Sequence, residues 1–142
     1  VEGQSRDLDA EGKKIKLEEL DEIHNLKTGK LIQACVESIC ILKKDLPNQH
    51  LRAFKNFAKK FGLAFQIKDD ILDVIGDEKV IGKPIKSDLK LKKASYPSII
   101  GLEASQERAE KLCAEALAIL TKLPYKTDNL IKLSKFIIFR KK

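Results

Sequence analysis

The sequence predicts an all-α protein, an antiparallel helix bundle, and three observations carry that reading. No stretch alternates apolar and polar residues with period two. Apolar residues instead recur at helical spacing, as in Leu51, Phe54, Ala58, Phe61 and Phe65. The breaks between such runs are short and marked by Gly or Pro, so neighbouring helices are expected to pack antiparallel.

The elements follow in order. Residues 1 to about 10 read as the tail of a helix that ends near Gly12, and Gly12 to Lys16 form a loop. Residues 18 to 43 carry apolar positions at Leu20, Ile23, Leu31, Ala34, Cys35, Ile39 and Leu42, which is helix. It is interrupted at Lys27-Thr28-Gly29, where glycine and a β-branched residue weaken helix propensity. Asp45-Leu46-Pro47 ends this helix and starts the next, with proline in the first turn. Residues 48 to 76 form one long helix. Gly62 inside it costs about 1 kcal/mol relative to alanine, which points to close helix packing or a bend. Residues 77 to 94 are a basic loop, with Gly76, Gly82 and Pro84 as breakers. Short helices cover about 97–103 and 105–123, the second capped by Ser105. A last helix runs from Thr127 or Asp128 to Arg140. No linker or repeat divides the chain, so 1–142 is expected to be one domain.

Composition narrows the function. The chain has 142 residues and a hydrophobic content of 43%, enough for a real core and ordinary for a soluble protein. No run of 18 apolar residues exists, so no membrane span is expected. The net charge of +7 would suit a polyanion binder. Yet aromatics are only 6% and are not interleaved with the basic residues, so no nucleic-acid partner is expected. Cys35, Cys40 and Cys113 are an odd number, each set among apolar residues. They read as buried reduced thiols, and the location as cytoplasmic. His24 and His50 read as structural or exposed. No GxGxxG or Walker-type loop is present, so no nucleotide cofactor is expected.

The chemistry concentrates in FGLAFQIKDDILDVIGD, residues 61 to 77. Asp69, Asp70 and Asp73 form a DDxxD cluster in mid-helix, where aspartate has poor propensity. Asp69 and Asp73 stack on one face, with Gln66 a turn earlier on the same side. Such carboxylates repel one another unless a cation sits among them. Hard oxygen ligands suit Mg²⁺, which takes one or two carboxylates and completes its shell with phosphates and water. A bare acidic run is more often a solvated face. Here the flanks are apolar, a Lys-rich segment follows, and a Lys-Thr-Gly interruption precedes.

These motifs, with GQSRDLDAEG at the start, IHNLKTGKLIQACV, IGKPIKSDLKLKKASYPSIIGLE and FIIFRKK, resemble the trans-prenyl diphosphate synthases, and within them the bacterial-type farnesyl diphosphate synthases. The resemblance spans the chain with the motifs in the family's order. It implies the C-terminal half of an isoprenoid synthase fold. It also implies an enzyme that condenses an allylic diphosphate, dimethylallyl or geranyl, with isopentenyl diphosphate. Asp69 and Asp73 would hold Mg²⁺, or Mn²⁺ in its place, and Asp70 would support them. Lys27, Lys83 and Lys93 would contact diphosphate. Thr28 would lie near the carbocation and proton-loss steps, and Gln66 would face the reacting centre. Gln4 and Asp7 would support the diphosphate network.

The family's first aspartate-rich motif and its arginine pair have no counterpart here: the arginines are Arg6, Arg52, Arg108 and Arg140. With no methionine anywhere and an abrupt start, the chain is expected to be the C-terminal half of a larger enzyme, inactive alone. Its partners would be the missing N-terminal half and, for the parent enzyme, a second copy. Two other classes compete: a degenerate, non-catalytic prenyltransferase subunit and a helical polyanion-binding domain.

Overall fold

The computed structural model describes residues 2–81 and 94–140, with side chains from 77 to 81 excepted. Every regular element among these residues is helical: α1 (Glu2–Asp9), α2 (Leu17–His24), a π turn (Asn25–Gly29), α3 (Lys30–Leu42), α4 (Asn48–Ile81), α5 (Tyr96–Ile100), α6 (Leu102–Thr121) and α7 (Asp128–Phe139).

The long α4 is the spine. Pro47 sits just before it, where a missing N–H is no loss, and its carbonyl accepts from the His50 and Leu51 amides. Pairings fix how the other helices run along it. On one side, Lys55 meets Glu37, Gly62 meets Gly29 and Asp70 meets His24. On the other, His50 meets Tyr125 and Lys60 meets Glu115. Rising numbers on α4 face falling numbers on both neighbours, so the α2–α3 segment and α6 are each antiparallel to it.

Two apolar clusters lie along this spine. One joins Phe57, Ala58, Phe61 and Ala64 to Cys113, Ala116, Leu120 and Ile138. The other joins Ile67 and Ile71 to Leu20, Tyr96 and Ala109. Apolar burial of this kind supplies most of the drive to fold, at roughly 25 cal/mol per Å².

Several boundaries differ from those the sequence suggests. The Lys-Thr-Gly interruption is a π turn that runs without a gap from α2 into α3, closed by the Lys30 amide donating to the Asn25 carbonyl, and not a break. The side chain of Asn25 accepts from Gln33 Nε2 at 2.9 Å and braces the widened turn. The long helix continues past Gly76 to Ile81, so its end lies inside the expected loop of 77–94. A single glycine with open space around it weakens a helix without ending it.

Ser105 does not cap α6. Gly101 opens that helix at φ +86°, a conformation that favours glycine, and Ser105 Oγ donates back to the Gly101 carbonyl at 2.6 Å. Ser95 caps α5 instead, in a reciprocal pairing with Ser98, and Pro97 occupies the first turn. Cys35 is exposed, contrary to expectation, whereas Cys40 and Cys113 are buried. Burial pushes both buried thiols above their ordinary pKa, which keeps them protonated and unreactive.

Candidate diphosphate and metal site

The site is built around the crossing of the π turn and α4. A Cβ on Gly62 would lie 3.0 Å from Gly29 Cα, so the two glycines let the backbones approach closely. Gly3 of α1 closes the other side of the turn: a Cβ there would run into the Lys27 backbone. The π turn is thus clamped between α1 and α4. Such turns are rare and recur at functional sites.

The clamp places the residues that the sequence singles out. Lys27 Nζ donates to Asp7 Oδ2 at 2.5 Å, in a partly buried pair. Gln4 lies a turn before Asp7 on α1 and is exposed. Between the crossing points of Gly29 with Gly62 and of His24 with Asp70, the antiparallel register sets Lys27 near the level of Phe65 and Thr28 near that of Ala64. Gln66 itself is buried. Gly62, Gln66, Asp69 and Asp73 form one stripe along α4, on the face that meets the turn.

The acidic cluster divides. Asp73 is exposed. The Asp69 side chain is 47% exposed, and one oxygen takes a long 3.3 Å hydrogen bond from Arg140, whose guanidinium lies over the Phe65 ring. Asp70 points the other way. It is buried, and its Oδ2 accepts from His24 Nε2 at 2.9 Å and from the Tyr96 amide at 3.0 Å. The three aspartates thus separate into an outward pair, Asp69 and Asp73, and an inward Asp70. The reason is helical geometry: a residue about 100° round from its neighbour faces a different part of the bundle.

The donor chemistry of that outward pair fits a hard divalent cation. Two carboxylates a turn apart leave most of a coordination shell to water and phosphate oxygens, which is how Mg²⁺ is ordinarily bound. Among the described residues no group of three His, Cys, Asp or Glu side chains is close enough to hold a metal by itself. Lys83 and Lys93 lie outside the described residues.

Sequence reasoning missed three participants. His24 and the Tyr96 amide hold Asp70, and Arg140 reaches Asp69. Nothing in the local sequence links residues 46 or 71 positions apart. The one available signal was a lone buried-type aspartate in an apolar helix, which demands an internal donor.

The comparisons agree with this architecture. The chain matches the polyprenyl synthetase family over residues 1–132 and belongs to it. It is 41% identical over 143 residues to the farnesyl diphosphate synthase of Escherichia coli, covering 99% of this chain and 48% of that protein. It is 43% identical over 141 residues to the geranylgeranyl diphosphate synthase of Cyanophora paradoxa, covering 99% and 47%. Among solved structures, a farnesyl/geranylfarnesyl-type (FPP/GFPP) synthase from Zymomonas mobilis superposes with TM-score 0.78 at 32% identity, covering 96% of this chain and 44% of that one. The fold is the all-α isoprenoid synthase fold, and the chain spans about half the length of the curated relatives it matches. No helix among the described residues is long and apolar enough to cross a membrane.

Proposed function

We propose that this chain supplies one wall of a Mg²⁺-dependent prenyl diphosphate synthase, which joins an allylic diphosphate to isopentenyl diphosphate. The division of the acidic motif carries the reading. Asp69 and Asp73 face outward on the stripe that meets the Lys27 turn, while Asp70 is spent inside the bundle. Membership of the polyprenyl synthetase family supports the reaction class.

In this reading the allylic C–O bond breaks, its electron pair leaves with diphosphate, and the isopentenyl double bond attacks the allylic carbon. A proton is then lost from the carbon beside the new cation. A Mg²⁺ ion, or Mn²⁺ in its place, held by Asp69 and Asp73 would draw off the charge that grows on the leaving diphosphate. The chain's own residues do the rest. Lys27 exchanges Asp7 for a diphosphate oxygen, and Asp7 keeps the ammonium aimed in the meantime. Arg140 yields Asp69 to the cation at little cost, since their hydrogen bond is long and its acceptor half-exposed. Thr28, next to Lys27 in the turn, would lie near the place where a proton leaves, and Gln66 would face the reacting centre. Gln4 extends the polar edge beyond Asp7. Lys83 and Lys93 would add two more diphosphate contacts.

The 142 residues alone are proposed to be a poor catalyst. The large side chains of Leu31, Ile39, Ile41, Leu42 and Phe136 are each more than half exposed, as they would be before the remaining helices of the fold cover them. An N-terminal half, a second copy of the whole enzyme and a cytoplasmic location complete the proposal.

The test is prenyl transfer from labelled isopentenyl diphosphate by the full-length protein that carries this sequence. Activity is expected to vanish with a Mg²⁺ chelator and return with Mg²⁺ or Mn²⁺. Lys27→Ala is expected to lower kcat/KM by about 100-fold, the scale of one lost charge-stabilising donor. Activity that ignores both changes would overturn the reading.

A further inference from the structure

The buried side of the acidic motif connects three pieces of the site that the chain delivers separately. Asp70 lies on α4 between the outward carboxylates. His24 is the last residue of α2 and runs straight into the π turn that carries Lys27. Tyr96 opens α5, three residues after Lys93. A single carboxylate oxygen, Asp70 Oδ2, accepts from both.

The junction is dry and tightly framed. His24 is 2% exposed and Tyr96 is fully buried. The Tyr96 ring stacks on the imidazole, with centroids 5.6 Å apart and planes 26° from parallel. Arg108 of α6 also lies over that ring, 5.6 Å from its centroid, and donates to Asp21 of α2 at 2.7 Å. Four helices therefore converge on the pair. Because Asp70 is a carboxylate acceptor, the His24 proton is assigned to Nε2, and among the described residues Nδ1 has no partner.

Simple burial does not require this arrangement. An apolar residue at position 70 would bury as well and would need no donors. What the carboxylate adds is direction: it can be satisfied in one rotation of α4 only, the one that meets both donors. That rotation is also the one that turns Asp69 and Asp73 toward the Lys27 turn.

We infer that His24 is a positioning residue, which through Asp70 sets the rotation of α4 and so the outward aim of Asp69 and Asp73 relative to Lys27. The inference rests on the metal–diphosphate reading above and assigns the inner donor that this reading lacks.

The experiment is a calorimetric titration of Mn²⁺ with inorganic diphosphate into the full-length protein, run well below each variant's melting temperature, with thermal melts alongside. His24→Leu keeps the volume and removes the donor. His24→Asn, whose amide falls a methylene short of Asp70, serves if His24→Leu does not fold. His24→Gln puts an amide N–H near the place of the imidazole Nε2. The short or apolar variant is expected to bind Mn²⁺–diphosphate about 10-fold more weakly, the scale seen when a ligand loses its supporting partner, and His24→Gln to recover most of that loss. A purely structural histidine would move the melting temperature and leave affinity unchanged, which would overturn the inference. So would a loss that His24→Gln does not repair. Asp69→Asn is the control: if it binds Mn²⁺–diphosphate like the parent, the metal–diphosphate reading itself fails, whatever His24 does.

Discussion

Two stretches of α4, adjacent in sequence, are built on opposite principles. From Phe57 to Ala64 the buried side chains are Phe57, Ala58, Phe61 and Ala64, all apolar, with Phe57 and Phe61 stacked at 5.7 Å. From Gln66 to Ile71 the helix still buries Ile67 and Ile71, but also Gln66, Lys68 and Asp70. The first stretch is packed for stability. The second gives stability up, because each buried polar group must find a partner or carry a penalty of about 1–3 kcal/mol. Asp70 has two donors, His24 Nε2–H and the Tyr96 amide. Lys68 fares less well: burial pulls its ammonium below the usual lysine range, attraction to Glu110 pulls it back up, and Arg140 pushes it down again. One helix thus carries a packed anchor and, a turn further on, a polar assembly whose geometry matters more than its energy.

Substitutions can break that contrast, and the largest effect belongs to the anchor. Phe57→Ala removes a fully buried ring and should cost about 3–5 kcal/mol in denaturant unfolding. Below its lowered melting temperature the variant should still bind Mn²⁺–diphosphate, since the ring packs in the apolar cluster with Phe61, Cys113, Ala116 and Leu120. Gly62→Ala comes next, at about 1–3 kcal/mol despite alanine's better helix propensity, because the new methyl meets the Gly29 backbone 3.0 Å away. Here stability and affinity should fall together, as the π turn is pushed off α4 and takes Lys27 with it. If Gly62→Ala stabilised the protein, the close crossing would be wrong.

The smallest effect sharpens the comparison from the polar side. Lys68→Met should raise the melting temperature by a few degrees at neutral pH. The sign follows from the direction of the shift. The folded-state pKa lies below the ordinary 10.5, so the charged form is disfavoured in the folded state. That cost is present in full below the lowered pKa and fades as pH rises through it toward 10.5. The advantage of Lys68→Met, followed by chemical denaturation across pH, should therefore shrink at alkaline pH.

What the sequence discloses divides along the same line. Helical spacing and Gly/Pro punctuation suffice for the seven α-helices among the described residues, within about five residues at each end, because those signals are local. The outward pair Asp69 and Asp73 is legible for the same reason, as helix geometry alone stacks them. The inward turn of Asp70 is not, since its partners stand on other helices. Nor is the π turn, which depends on Gly3 and Gly62 closing on it from elements far away in the chain. Gly76 misleads because a glycine weakens a long helix without ending it, and Ser105 because Gly101 had already turned the chain into α6. Cys35 falls in an apolar run whose outer face is exposed here, so pattern alone cannot bury it.

The central claim is that the outward aspartates of α4 serve chemistry, while the apolar stretch from Phe57 to Ala64 serves the fold. Its most direct test is one variant with two readouts: Asp69→Asn in the full-length protein, followed by steady-state prenyl transfer and by thermal melting. The account predicts a fall in kcat of about 100-fold or more with the melting temperature essentially unchanged, because the half-exposed Asp69 contributes little to stability. Undiminished turnover, or a loss of turnover that merely tracks a loss of folding, would contradict it.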